Sequence, residues 1–314
     1  MRIGSRGSAL ALAQAEGVAR RLGEDAQVVP IAVGGDRGEL PGDKSRWVKE
    51  LELALLAGEI DLAVHSAKDV PSELPDGLVL AGVPERADAR DALCGAASLD
   101  ALADGARVGT SSLRRAAALR ALRPDLSVIA VRGNVDTRLR KLAAGAYDAL
   151  VLALAGLERL GRADAADGVL DELVPAPGQG ALVLEARAGD ARALEAAAAL
   201  EDPHAAACLA AERALVRELG ASCRTPLGAR ASLADDGTLT LRAFVGLPDG
   251  SAWLRDERSD PLGANPEWLG AEVGRRMRAA GADELLAAAE EAGADAPPPA
   301  STSEGTVVGG GPGA

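Results

Sequence analysis

In the stretch HSAKDVP a hydroxyl, a cation and a carboxylate (Ser66, Lys68 and Asp69) follow the apolar run DLAV and stop at Val70-Pro71. Proline lacks the N–H and restricts the residue before it, so a regular element ends here. The run therefore reads as a buried strand with three polar side chains at its carboxyl edge. In open α/β sheets that edge is where ligands bind. An acid and a base there can hold a polar ligand or pair with each other as an ordinary surface ion pair. The heptapeptide alone leaves both open.

A second constellation is built on arginine. Residues 105–141 hold nine basic side chains (Arg107, Arg114, Arg115, Arg120, Arg123, Arg132, Arg138, Arg140, Lys141) against Asp125 and Asp136, a net +7 in a chain of formal charge −13. Concentrated positive charge in an acidic protein suggests a specific anion site. In GTSSLRR, Thr110, Ser111 and Ser112 are suitable N-caps, which puts Arg114 and Arg115 in the first turn of a helix. Cations there oppose the helix dipole, and an anionic ligand would remove the conflict by taking both guanidinium forks and the free backbone N–H groups. The pattern recurs at Arg6 with Ser8, and at Arg132 with Asn134 before a helix bearing Arg138. Three strand–loop–helix corners could thus converge on one cleft for a ligand with several carboxylates or phosphates. Arg120, Arg123, Arg140 and Lys141 read as solvated helix faces. GxGxxG and the P-loop pattern are absent, which argues against a nucleotide.

The elements that must position these groups alternate. RIGS, VVPIAV, DLAVHSA, LVLAGV, RVGTSS, LSVIAVRGN, DALVLALAG and ALVLEAR read as strands, and helical patterns such as ALALAQAEGVARRLG and WVKELELALLAG stand between them. Such alternation predicts α/β architecture with mostly parallel sheets. Gly23, Gly58 and Gly145 stand where helices should close. Beyond residue 200 a long Ala-rich helix leads into three antiparallel strands and one last helix over roughly 266–292, a small α+β domain. The tail from about residue 295 is rich in Pro, Gly and Ser and reads as disordered.

Bulk properties prune the alternatives. At 314 residues two or three domains are affordable, and with 2 % aromatic residues alanine, leucine and valine must fill the core. The acidic balance speaks against nucleic acid or a membrane surface as partner, and no apolar run approaches the ~20 residues of a span. The N-terminal apolar stretch ALALA is shorter than the ~7–15 residues of a signal-peptide core. Three scattered cysteines (Cys94, Cys208, Cys223) form neither a CxxC nor a disulfide framework, and a reducing, cytoplasmic setting fits them. Two histidines leave little for a metal site or a Ser-His-Asp relay.

Six stretches, in order over nearly the whole chain, resemble one family: RIGSRGSALALAQAE, WVKELELALLAGEIDLAVHSAKDVPSELPDGL, VGTSSLRR, VRGNVDTRLRKLAAGAYDALVLALAGLERLG, VPAPGQGALVLEAR and AAERALVRELGASCRTPLGA. The family is porphobilinogen deaminase, or hydroxymethylbilane synthase. The resemblance implies two lobes similar to type II periplasmic-binding-protein lobes plus a small C-terminal α+β domain. Residues 1–85 with 178–198 would form the first lobe, 86–177 the second and 199–294 the third domain, with 295–314 a disordered tail. It implies a cytoplasmic, monomeric transferase of tetrapyrrole synthesis that joins four porphobilinogen molecules head to tail, releasing ammonia, to give hydroxymethylbilane.

The resemblance also implies a dipyrromethane cofactor held as a thioether by Cys223, and Asp69 as the principal catalytic group. Cofactor and substrate carboxylates would meet Arg6, Ser8, Lys49, Ser66, Lys68, Thr110, Ser112, Arg114, Arg115, Arg132, Asn134 and Arg138. Arg159 and Gln179 would line the substrate side. No metal is implied. Hinges near residues 85 and 177 would let the lobes move. On the residues alone, a cysteine in a Gly/Ser/Pro loop is more often merely tolerated, and Cys94 and Cys208 read as small apolar fillers.

Two stretches depart from the family pattern. KSRW, with Arg46 and Trp47, stands where a glycine-rich KGLF is usual, and Ala221 replaces a glycine two residues before Cys223. If that position needs positive φ, alanine carries strain of about 1 kcal/mol. A hinged solute-binding or sensor protein is the rival reading, since two lobes with an arginine-lined cleft serve that purpose too. Such a protein would need no tethered chromophore on Cys223.

Overall fold

Ser8 separates an apolar pentapeptide from an amphipathic run, and its hydroxyl accepts the Ala11 amide at 3.3 Å. That cap fixes where β1 (Arg2–Arg6) hands over to α1 (Ala9–Leu22). The computed structural model describes residues 1–32, 45–222, 225–261 and 265–294, with 45–47 and 292–294 as backbone only. The Arg46 and Trp47 side chains, Cys223 and the tail from residue 295 lie outside what is described.

The chain continues through β2 (Gln27–Ile31), α2 (Ser45–Leu56), β3 (Leu62–Ser66) and β4 (Leu78–Gly82). It then crosses to a second sheet: β5 (Asp91–Cys94), β6 (Arg107–Gly109), α3 (Leu113–Leu122), β7 (Ser127–Ile129), α4 (Val135–Ala143), β8 (Ala149–Ala153), α5 (Leu154–Arg159) and β9 (Gly168–Leu170). It returns with β10 (Leu182–Arg187) and α6 (Ala191–Ala198). The two five-stranded sheets have the orders β2-β1-β3-β10-β4 and β7-β6-β8-β5-β9. In each, one strand runs against the others: β10 is antiparallel to β3 and β4, and β5 to β8 and β9. These reversed strands are the ones entered straight from a crossover. β3, at the centre of its sheet, is buried along Leu62–His65.

The third part comprises α7 (Pro203–Glu218), β11 (Leu227–Leu233), β12 (Thr238–Gly246), β13 (Trp253–Pro261), α8 (Pro266–Ala279) and α9 (Ala282–Ala294). Its three strands form an antiparallel meander with a core of Leu, Val and Ala against α7 and α8. The single final helix expected from the pattern is two, because Gly281 sits between them at φ +98°, a conformation that ends a helix. The strands β5 and β9 stand beyond those expected from the pattern. Gly23, Gly58 and Gly145 do follow α1, α2 and α4.

Both crossovers are clamped by one carboxylate from α7. Glu212, fully buried, accepts Arg86 Nη1 at 2.7 Å and Nη2 at 3.1 Å, the Gly178 amide at 2.6 Å and the Ala231 amide at 2.7 Å. Arg86 also donates to the Gln179 carbonyl at 2.9 and 3.0 Å. Burial works against the Arg86 cation, yet Glu212 holds its pKa above the ordinary value. Glu212→Ala would strand that charge and two amides, and a loss of about 3–5 kcal/mol of stability is expected in urea denaturation. A loss below about 1 kcal/mol would show the clamp to be idle.

Candidate active site

Asp69 ends a single 3-10 turn, Ala67–Asp69, placed directly on the end of β3. The Ala67 amide donates to the Ala181 carbonyl at 3.0 Å and the Val70 amide to the Ala67 carbonyl at 3.3 Å. Behind the turn Gly178 takes φ +73°, and a Cβ on it would come within 2.8 Å of the Lys68 amide nitrogen, so only glycine lets the second crossover pass this close. From α7, Arg213 donates to the carbonyls of Pro71 at 2.7 Å and Ser72 at 3.0 Å, holding the chain just after Asp69. The second crossover and α7 thus fix this turn from two sides.

Lys68 and Asp69 line two cavities at once. The larger, about 1040 Å³, opens between the two sheets and is lined by Arg6, Ser8, Gln14, Ser66, Arg115, Asn134, Arg138 and Arg159 among others. The smaller, about 290 Å³, lies between the second crossover, α3 and α7, with Ser112, Arg114, Arg213, Ser222 and Thr225 in its wall. The larger matches the upper end of ordinary ligand pockets, roughly 300–1,000 Å³.

The helix N-termini around the two cavities are built as the sequence suggests. Asn134 accepts the Thr137 amide at 2.9 Å and Ser112 the Arg115 amide at 3.4 Å. Arg138 donates from Nε to the Gly133 carbonyl at 2.8 Å, and Arg159 from Nη2 to the Gly180 carbonyl at 2.6 Å. Burial is the leading influence on both guanidinium groups and pushes their pKa down; the Arg115 cation adds to this at Arg138, and Glu158 does not offset it at Arg159. Cations held in that way favour an anionic ligand.

For Arg114 and Arg115 the expected ligand is not what resolves their place in the first helical turn. Asp91, fully buried at the start of β5, accepts Arg114 Nη2 at 2.8 Å, and Arg115 Nη2 at 2.7 Å and Nε at 3.1 Å. Burial would raise the Asp91 pKa, but the two guanidinium groups outweigh it and hold it well below the usual carboxylate range. An acid with a depressed folded-state pKa adds stability above its unfolded value, near 4, and loses it as pH falls toward the folded value. Melts of wild type and Asp91→Asn should therefore differ at pH 7, and the gap should narrow as the pH drops below about 4. A gap that stays constant down to pH 2 would contradict this, taking about 2 as the practical acid limit of such melts.

Several other expectations change in place. Gln179, expected to line the substrate side, is 1 % exposed and lines neither cavity; its Nε2 donates to Asp91 Oδ1 at 2.7 Å and to the Ala89 carbonyl at 2.8 Å. Thr110 is buried with its hydroxyl accepting the Ser112 amide at 3.2 Å, and Lys49 and Arg132 are exposed; none of the three is in either cavity wall. Arg120 is no solvated face: it donates to the carbonyls of Pro248 at 2.5 Å and Val128 at 2.9 Å. Arg123 pairs with Asp125 at 2.8 Å and Arg107 with Asp148 at 2.8 Å, so part of the +7 segment is structural. Cys94 and Cys208 are buried, and burial lifts both thiols to about 11, as befits small apolar fillers. Sequence reasoning missed Gln14, whose Nε2 donates to the Ser66 hydroxyl at 3.0 Å. A glutamine on the buried face of α1, beside Ala15 and Val18, was the available signal. Arg213 and Asp91 carried none.

Two α/β lobes, each a five-stranded sheet with one reversed strand and joined to the other by two crossovers, define a protein whose cleft is lined by arginines from both lobes. Comparison narrows the class. Residues 1–195 match the family model described as "Porphobilinogen deaminase, dipyromethane cofactor binding domain", and 206–279 match "Porphobilinogen deaminase, C-terminal domain". The chain is 48 % identical over 294 residues to the porphobilinogen deaminase of Thermus thermophilus, covering 91 % of this chain and 97 % of that one. It is 50 % identical over 291 residues to that of Rubrobacter xylanophilus (88 % and 92 %) and 45 % over 306 to that of Deinococcus radiodurans (92 % and 98 %). The chain belongs to the porphobilinogen deaminase family.

Proposed function

We propose that this chain is a cytoplasmic, monomeric transferase that condenses four porphobilinogen molecules head to tail, with loss of four ammonia molecules, and that one water molecule then frees the product as hydroxymethylbilane. The reading is carried by one observation: Asp69 and Lys68 line both cavities, with arginines from both lobes around them. The small cavity fits a dipyrromethane bearing acid side chains. Its wall offers Ser112, Lys68 and Arg114, and Arg114 Nε is buried with no hydrogen-bond partner among the described residues. The residues flanking Cys223, namely Ala221, Ser222 and Thr225, belong to the same wall, which suits attachment through that thiol. When bound, the group supplies a nucleophilic pyrrole carbon to prime the chain.

The protein's own part is electrostatic. Loss of ammonia from porphobilinogen spreads positive charge toward the pyrrole nitrogen, and the Asp69 carboxylate accepts that N–H and stabilises the charge as it develops. The same carboxylate is placed to help the amine leave protonated and to take the proton lost from the ring carbon after coupling. Arg6, Arg115, Arg138 and Arg159 hold the acetate and propionate groups, whose geometry the guanidinium fork matches. Ser8, Ser66 and Asn134 supply shorter-range polar contacts. The lobes, 1–85 with 178–198 and 86–177, shift about the crossovers so that one aspartate meets each new ring.

Purified protein incubated with porphobilinogen is expected to release ammonia and hydroxymethylbilane and to colour with Ehrlich's reagent before substrate is added. Binding of porphobilinogen without ammonia release would instead identify a solute-binding protein.

A further inference from the structure

Asp91 lies in neither cavity, yet four side-chain donor contacts end on its carboxylate. Oδ2 accepts Arg114 at 2.8 Å; Oδ1 accepts Arg115 at 2.7 and 3.1 Å and Gln179 Nε2 at 2.7 Å. The far ends of the two guanidinium groups are pinned to carbonyls, Arg114 Nη1 to Val174 at 2.6 Å and Arg115 Nη1 to Val151 at 2.9 Å. One arginine then faces the small cavity and the other the large one. Because Gln179 turns its Nε2 toward Asp91 and the Ala89 carbonyl, its Oε1 has only one way to face, and Lys68 Nζ reaches it at 3.4 Å. The geometry points to Asp91 as a positioning residue for the condensation, which aims Arg114 and Arg115 at acid groups on the two sides of Asp69 and, through Gln179, steadies Lys68 beside it.

Charge supports the assignment. Two cations share one buried anion, so the cluster is left one positive charge in excess, and Arg114 Nε is without a hydrogen-bond partner among the described residues. A bridge serving stability alone would need one arginine matched to one carboxylate, and apolar residues often replace such pairs without loss. Asp91 instead leaves the surplus at the cleft, where a ligand carboxylate completes it. This rests on the porphobilinogen reading above, and the test separates the two.

Asp91→Asn keeps the shape and removes the charge; Gln179→Met keeps length and breaks the tie to Lys68. With holoenzyme at 25 °C, Asp91→Asn is expected to raise the porphobilinogen KM at least about tenfold, a step of about 1.4 kcal/mol. Gln179→Met is expected to lower kcat by about tenfold or more while KM stays within about threefold. Asp91→Glu should recover part of the Asn loss. Were Asp91 merely structural, Tm would fall while KM and kcat of the folded enzyme stayed within about threefold of wild type, and that result overturns the inference. If Asp91→Asn does not fold, Gln179→Met decides alone. Wild type that makes no hydroxymethylbilane would overturn the functional reading instead.

Discussion

Asp69→Asn is expected to yield a folded, cofactor-bearing protein that turns porphobilinogen over about a hundredfold to a thousandfold more slowly. The amide is nearly isosteric with the carboxylate, so the turn held by the Ala67–Ala181 bond, by Gly178 and by Arg213 should persist. What goes is the negative charge at the junction of the two cavities. A neutral amide can still accept one pyrrole N–H but cannot offset a cation forming in a poorly hydrated site, where such interactions are strongest. Circular dichroism and the mass added by the cofactor should match wild type, and steady-state assay should show the loss in kcat. Turnover within about threefold of wild type would remove the electrostatic role.

Cys223→Ala should have an effect as large for a different reason. No other described thiol can take its place: Cys94 and Cys208 are buried, with thiols held at about 11, and so remain protonated and inert at neutral pH. Intact-mass spectrometry of the variant should give the bare polypeptide mass and Ehrlich's reagent no colour. Wild type should carry the added mass. An adduct on the Cys223→Ala protein would refute the attachment site.

Much of the site was legible because its signals are local. A strand stopped by proline places Ser66, Lys68 and Asp69, and cap residues place Ser8, Ser112 and Asn134, within a few positions of where the chain turns. The alternation of apolar runs with helical patterns carried both mostly parallel sheets for the same reason. What stayed hidden depends on partners distant in sequence. Arg114 and Arg115 look like a conflict in need of a ligand until β5 brings Asp91 against them, 23 and 24 residues away in the chain. Arg120 looks exposed until the Pro248 carbonyl arrives from 128 residues away. The family resemblance implies Gln179 on the substrate side, yet its Nε2 is taken by the Ala89 carbonyl of the first crossover and by Asp91 of β5. The split of the last helix at Gly281 is weakly signalled, since one glycine in an Ala-rich run is a poor stop.

The most direct measurement is a crystal structure of freshly purified holoprotein. The account predicts pyrrole N–H groups within hydrogen-bond distance of the Asp69 carboxylate, acid side chains on Arg114 and Arg115, and a thioether at Cys223. An Asp69 side chain turned out of the cleft, or a bare Cys223 with the acid groups held elsewhere, would contradict it.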